Sequence, residues 1–370
     1  MGSKREGFIK RIKLEGYKSI KSLDIPMKPI NILIGANGSG KTNFISLFSM
    51  LRAMSQGKFQ KYVEDKGRAN SLLHFGVKNT DKIKIELNIC DNGYSCILGY
   101  DSFEDTIKFE NEYCSFETRW GNKDYGVQGK GGESGLFEGW AESNNVRDYT
   151  KHYLDKCAIY HFHDTSDTAG FKSFSNLDAN HYLEGDASNI AAFLYYLKHN
   201  YEESYIEILD AVRVVAPFFH DFYLEPIKFD DGQQLRLRWI HKEYDNPFSP
   251  HSLSDGTARF ICMATLFLQP QHLRPKTIIL DEPELGLHPA ALAVLADIIK
   301  SVSKYNQVIC STQSVELANY FEPEDFIVVE QKKGVSYFER PDAKSLEVWL
   351  EEYRMGEIWN KNLIGGRPEW

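Results

Sequence analysis

The 370-residue sequence contains no run of about 18 apolar residues, and no charged segment followed by a short apolar one opens it. Neither a membrane-spanning helix nor a secretory leader is expected, and a cytoplasmic location is. The six cysteines (Cys90, Cys96, Cys114, Cys157, Cys262 and Cys310) are scattered, with no CxxC pair and no Cys/His metal spacing. They read as free thiols in a reducing compartment; Cys262 and Cys310 lie in apolar runs, where cysteine behaves as a small core residue. Internal repeats are missing, as is any heptad run long enough for a coiled coil. Positive charge is in deficit: the formal net charge is -9. That excludes a chain coated in positive charge but leaves room for a local basic groove for nucleic acid. One candidate is the start, where Lys4, Arg5, Lys10, Arg11, Lys13, Lys18 and Lys21 are opposed only by Glu6 and Glu15. A solvated strand face is the favoured reading of that cluster. Arg68 and Lys78 stay open between nucleic acid and solvent.

What is present is globular: 42% hydrophobic and 13% aromatic residues leave little room for extended disorder. The length suits one large domain with an inserted lobe, or two lobes. Its organising stretch is Gly35-Ala36-Asn37-Gly38-Ser39-Gly40-Lys41-Thr42, set between the apolar run Ile30–Ile34 and a helical pattern carried by Phe44, Ile45, Leu47, Phe48 and Leu51. Strand, glycine-rich loop and helix together are the context that the P-loop pattern requires. Glycines there let successive N–H groups turn inward and cradle phosphate at a helix N-terminus. Asn37, Gly38, Ser39 and Gly40 form the expected cradle, Lys41 reaches the β and γ phosphates of ATP, and the Thr42 hydroxyl ligates Mg²⁺.

Residues 8 to 34 read as strands leading into the P-loop, and Lys82–Ile89, Tyr94–Tyr100 and Thr106–Glu110 alternate as an antiparallel flank would. Residues 71–76 are expected to open that flank. Gly121 to Gly139 has few apolar anchors and reads as an exposed loop. The run 158–162 looks like a strand, and the loop His163-Asp164-Thr165-Ser166 at its end either lines a nucleotide or partner site or is a capped polar turn. Helical periodicity from 187 to 219, ended by Pro217, marks a small helical lobe.

Thr277–Leu280 is an apolar strand ending in Asp281 and Glu282, the form of a Walker B strand: Asp281 would hold Mg²⁺ and Glu282 would polarise the attacking water. Before it, Leu253-Ser254-Asp255-Gly256-Thr257 starts an apolar helix; Ser254 and Gly256 there offer a hydroxyl and N–H groups at a positive helix end. Alone this would be an N-cap. With the P-loop and the Asp-Glu strand, LSDGT resembles the LSGGQ signature of ATP-binding-cassette proteins. Adding DEPELGLHP at 281–289 and the strand 308–314, the chain resembles the SMC/RecF/OLD branch, and most of all its stand-alone RecF-like or OLD-like ATPases.

That resemblance implies an α/β fold: a P-loop NTPase, ABC-type head with an antiparallel β flank and an inserted helical lobe. The expected organisation is a single ATPase domain over 1–370, with an N-terminal lobe at about 1–120, a loop at about 121–140, the helical lobe at about 187–219 and a signature/Walker B lobe at about 250–330. It further implies a homodimer closing around ATP, in which Ser254 and Gly256 of one subunit meet the nucleotide held by Lys41 of the other. Residues 284–288 would form a D-loop, with His288 at the interface or capping a helix. Gln313 stands where many relatives carry a switch histidine, so it inherits the catalytic position without the imidazole; its amide can still orient water. Full OLD proteins continue into a TOPRIM nuclease domain, whereas about 50 residues follow the Gln313 strand, so a nuclease site within the chain is not expected. Two functions remain in view: an ATPase that switches a separate effector, such as a nuclease in anti-phage defence or DNA maintenance, and an ATP-gated DNA-binding or scaffold module with little turnover.

Overall fold

The computed structural model describes residues 8–118, 121–127, 129, 132–138, 145–230 and 232–366. Lys4, Arg5 and Glu6 of the basic cluster lie outside them. In chain order, β1 (Ile9–Tyr17), β2 (Ile20–Pro26) and β3 (Ile30–Ile34) lead to α1 (Lys41–Ser55), then short α2 (Phe59–Asp65) and α3 (Arg68–Leu72). Strands β4 (Lys82–Ile89), β5 (Asn92–Asp101), β6 (Thr106–Thr118) and β7 (Gly121–Gly126) follow, then α4 (Gly135–Glu138), α5 (Asn145–Asp155), β8 (Cys157–Tyr160) and β9 (Phe174–Asn176). Helices α6 (Ile190–Asn200) and α7 (Glu202–Val215) precede β10 (Phe219–Tyr223), β11 (Ile227–Phe229), β12 (Gly232–Arg236) and β13 (Arg238–His241). The chain closes with α8 (Asp255–Leu268), β14 (Thr277–Asp281), α9 (Pro289–Val302), β15 (Gln307–Thr312), α10 (Val315–Ala318), β16 (Phe326–Lys332), β17 (Val335–Glu339), α11 (Ala343–Leu350) and α12 (Met355–Asn360).

A six-stranded sheet in the order β17-β16-β3-β15-β14-β8 forms the centre, parallel except for β17. Its inner strands β3, β14, β15 and the start of β16 are buried on both faces, which is why they read as unbroken apolar runs rather than alternations. Successive residues feed two separate cores. Ile32, Ile278, Val308 and Phe326 face the helices α6 to α9. Leu33, Ile279, Ile309 and Ile327 face α1 and the antiparallel sheet β2-β1-β4-β5-β6-β7. Burying one such Leu or Ile side chain contributes about 1.5–3 kcal/mol. The fully buried Gln307 of β15 ties the sheets together, its amide nitrogen donating to Ile9 O and Lys28 O at 2.9 Å each and its oxygen accepting from Ile9 N at 3.2 Å.

The outer face of the antiparallel sheet is wet, and its charges meet across strands: Arg11 with Asp24, Lys13 with Glu86 at 2.8 Å, and Lys84 with Glu15 at 2.9 Å. The described part of the N-terminal basic cluster is therefore largely neutralised by acidic neighbours on a solvated face. Such exposed pairs are screened by solvent and contribute little stability.

Two expectations are corrected. Residues 71–76 do not open the sheet: they end α3, and Leu73 makes only an isolated bridge to Tyr17. Residues 121–140 are not simply an exposed loop, since they carry β7 and α4, and Ser134 and Leu136 are fully buried. Their anchors are polar and distant in sequence. Glu133 accepts from Phe59 N (2.8 Å) and Gln60 N (2.9 Å) at the start of α2. The buried Glu112 carboxylate accepts from Tyr94 Oη (2.7 Å), Gly135 N (2.8 Å) and Ser134 Oγ. Burial pushes the Glu112 carboxyl up, and these three donors pull it back. Part of the segment lies outside the described residues.

Candidate functional site

The P-loop leaves the C-terminal end of β3, where ligands of open α/β sheets collect. Gly38 and Gly40 have φ of 77° and 114°, in the left-handed region. A Cβ at Gly40 would sit 2.1 Å from Ser336 Oγ of β17, whereas at Gly38 it would meet nothing within 4 Å. The loop is thus backed by the β16–β17 hairpin and open at its tip. Ser336 Oγ donates to Ser39 O at 2.6 Å, and Gln331 Nε2 to Gly38 O at 2.8 Å. Asn37 is exposed beside that tip, and the buried Ser39 Oγ has no hydrogen-bond partner. Helix α1 starts without a side-chain cap, leaving its first N–H groups for the loop's ligand.

Lys41 is buried, and its Nζ donates to Gly35 O (2.6 Å) and Ala36 O (3.0 Å). Burial holds its pKa below the ordinary lysine value, while Glu282, Asp281 and Glu284 oppose that shift. The lysine therefore lies in the field of Glu282, Asp281 and Glu284, at and just beyond the end of β14. Thr42, the next residue, is exposed.

On the acidic side, Asp281 accepts a hydrogen bond from Ser311 Oγ of the neighbouring strand, and its backbone carbonyl accepts from His163 Nε2 at 2.6 Å. Glu282 has φ 44°, a conformation costing a non-glycine residue about 1–3 kcal/mol and found where the surroundings fix it. Two contacts fix it: Glu282 N donates to Ser311 O at 3.0 Å, and the Gln313 amide donates to Glu282 Oε1. Glu284 accepts from Gln313 N at 2.8 Å; burial raises its pKa, and its second carboxylate oxygen has no partner.

Lys41, Thr42, Asp281, Glu282 and Gln313 thus gather at the ends of the adjacent strands β3, β14 and β15. Among the described residues no hydrogen bond links Ser254 to them. Ser254 is the exposed N-cap of α8, its Oγ accepting from Thr257 N at 3.2 Å. A Cβ at Gly256 would stand 2.2 Å from Gly286 O, so this glycine also serves the close approach of the 284–288 loop. His288 caps α9 by accepting from Ala290 N at 3.3 Å.

Sequence reasoning did not single out Arg259. On α8, its guanidinium donates to Phe162 O (3.1 Å), His163 O (2.8 Å) and Leu285 O (2.8 Å), joining the signature helix, the 162–165 loop and the 284–288 loop. No local motif marks it, because all three acceptors are backbone carbonyls distant in the chain. It is a positioning residue. Arg259→Ala is expected to cost about 2 kcal/mol of unfolding free energy, from carbonyls left without a charged donor. In the same variant ATP turnover is expected to fall while nucleotide affinity at the P-loop holds; equal loss of both would deny the positioning role.

A family model described as "AAA domain, putative AbiEii toxin, Type IV TA system" matches residues 133–319, half of the chain, and one described as "AAA ATPase domain" matches residues 8–123. The chain belongs to this AAA-domain family. It is an ATPase of the ABC/AAA type. In fold, the AAA ATPase is similar to an Smc head crystallised with the C-winged helix domain of ScpA, with TM-score 0.57 and 18% identity over 93% of this chain and 99% of that one. It is also similar to a Pyrococcus furiosus Smc head bound to the C-terminal domain of ScpA, with TM-score 0.54 and 15% identity over 94% and 99% of the two chains. Among curated proteins, a "Putative ABC transporter ATP-binding protein" of Methanosarcina acetivorans is 30% identical over 94 residues, 25% of this chain and 28% of the relative. One of the same description from Clostridium acetobutylicum is 23% identical over 109 residues, 28% and 38% of the two. The AAA ATPase spans less than two fifths of the length of these curated relatives. Among the described residues, no helix is long and apolar enough to cross a membrane.

Proposed function

We propose that this AAA ATPase is a RecF/OLD-like switch that binds and hydrolyses Mg–ATP, dimerises around the nucleotide and thereby controls a separate effector, a nuclease in anti-phage defence or DNA maintenance. One observation carries the reading: a buried lysine, an Asp–Glu pair with strained Glu282 and the Gln313 amide converge at the ends of the central strands β3, β14 and β15, while the signature serine stands exposed at the start of α8. The residues fit the ligand. An open-tipped cradle of N–H groups suits phosphates, Lys41 suits their β and γ charges, and Thr42 and Asp281 are the hard oxygen donors that magnesium takes. Magnesium, when bound, neutralises charge on the β and γ oxygens.

The chain's own residues do the rest. Ser311 and His163 hold Asp281 in place from its side chain and its backbone carbonyl. Glu282 orients the attacking water and takes its proton, and Gln313, hydrogen-bonded to that carboxylate, sets its rotamer. The Ser254 hydroxyl, exposed at the N-cap of α8, and the first N–H groups of that helix would meet the γ-phosphate held by a second copy. For the effector, the support is the toxin–antitoxin description of the family and the Smc head seen with a ScpA domain on it.

The Gln313–Glu282 contact also favours a second reading. It engages a carboxylate oxygen that would otherwise hold water, as suits an ATP-gated DNA-binding or scaffold module with little turnover. Dimerisation is tested by light scattering of the full chain. A monomer without nucleotide is expected to become a dimer with Mg–ATP, and Ser254→Arg to stay monomeric while still binding nucleotide. A monomer under every condition would sink the shared-nucleotide model.

A further inference from the structure

At the opposite end of α1 from the P-loop, a half-open cavity of about 650 Å³ lies between the helix C-terminus, the first residues of edge strand β8, and the segments 181–186 and 272–275. That volume falls within the range of small-molecule sites, about 300–1,000 Å³. Its charges are unequally committed. The rim carboxylates already accept internal hydrogen bonds: Asp155 from Ser55 Oγ at 2.6 Å, Glu184 from Ser188 Oγ at 2.5 Å and Asp186 from Ser188 N at 3.0 Å. The cations Arg52, Lys156 and Arg274 form no ion pair among the described residues. Arg52 Nε is buried with no acceptor among the described residues. Arg274 gives only its Nε, to Gln269 O at 2.8 Å; burial lowers its pKa and the charge of Glu207 opposes that shift. A guanidinium with an unpartnered N–H in the wall of a cavity is costly, and an anion bound beside it in the cavity would offset part of that cost. The walls add apolar surface from Leu183 and Leu273 and the exposed ring of Tyr182.

We propose that this cavity is a second ligand site, separate from the nucleotide site, for a small organic oxyanion about the size of a nucleoside monophosphate. Its phosphate or carboxylate head meets Arg52 in the field of Lys156 and Arg274, and its planar body lies against Tyr182 and Leu273. The inference stands on the cavity alone and does not need the ATPase reading.

The test is isothermal titration of the full chain, with the P-loop filled by Mg and a non-hydrolysable ATP analogue, using uridine 5′-monophosphate, uridine and inorganic phosphate as probes. The monophosphate is expected to bind saturably at one site per chain, with uridine about tenfold or more weaker, the loss of one charge-assisted hydrogen bond. Arg52→Met and, independently, the more peripheral Lys156→Met are each expected to weaken it by a similar factor without changing affinity for the ATP analogue. Phosphate binding as tightly as the monophosphate would overturn the organic body and leave a free-oxyanion site. No saturable binding of either anion at millimolar concentration, or binding indifferent to both substitutions, would overturn the proposal as a whole.

Discussion

Replacing Glu282 with Gln is expected to lower ATP hydrolysis by about 10²–10⁴-fold, the usual weight of a positioned general base, while nucleotide affinity stays close to that of the parent. The substitution isolates proton transfer. Gln has the same length as Glu and keeps an oxygen to accept from the Gln313 amide, and the backbone at φ 44° is held by Ser311 O whichever side chain follows. What disappears is the carboxylate's ability to take a proton from water. Phosphate release at saturating Mg–ATP, read beside equilibrium nucleotide binding and solution mass, checks it. In the switch reading the variant binds, dimerises and stalls. If hydrolysis were unchanged, the base would have to lie elsewhere in the site. A parent that barely turns over, with biological function retained in the variant, would favour the gated scaffold.

The parts of this site that could be read in the sequence are those whose signal is local. The P-loop carries its requirements within eight residues, and strands β3, β14 and β15 announce themselves because burial on both faces demands continuous apolar side chains. Lys41, Asp281 and Glu282 were legible at the ends of such strands, whereas Gln313 and the gathering of the motifs into one site came from the resemblance to the SMC/RecF/OLD branch. Residues whose partners come from strand register or from distant backbone could not. Ser311 meets Asp281 because β14 and β15 pair Asp281 with Ser311, a one-residue matter invisible in composition. Arg259 serves carbonyls more than 90 residues away on one side and 26 on the other. The segment after Gly121 looked unanchored because its anchors are charged, the buried Glu112 and the half-buried Glu133, and their partners come from distant parts of the chain.

Lys41→Ala separates the cradle from its charge. Removing the ammonium abolishes the bonds to Gly35 O and Ala36 O, but also the burial cost that lowers the lysine's pKa. These effects oppose each other, so stability without nucleotide should change little. The cradle itself should persist, since Ser336 and Gln331 hold Ser39 and Gly38 through the backbone rather than through Lys41. Nucleotide binding, in contrast, loses two charge-assisted contacts to phosphate, and affinity for Mg–ATP is expected to drop about 100-fold. At a concentration that is 100 times the parent Kd, ligand binding stabilises the parent by about 2.7 kcal/mol and the variant by only about 0.4 kcal/mol. Thermal unfolding with and without Mg–ATP reads that difference directly. An undiminished nucleotide-induced shift in Lys41→Ala would place the nucleotide outside the P-loop, and the roles given to Thr42, Asp281 and Glu282 would fall with it.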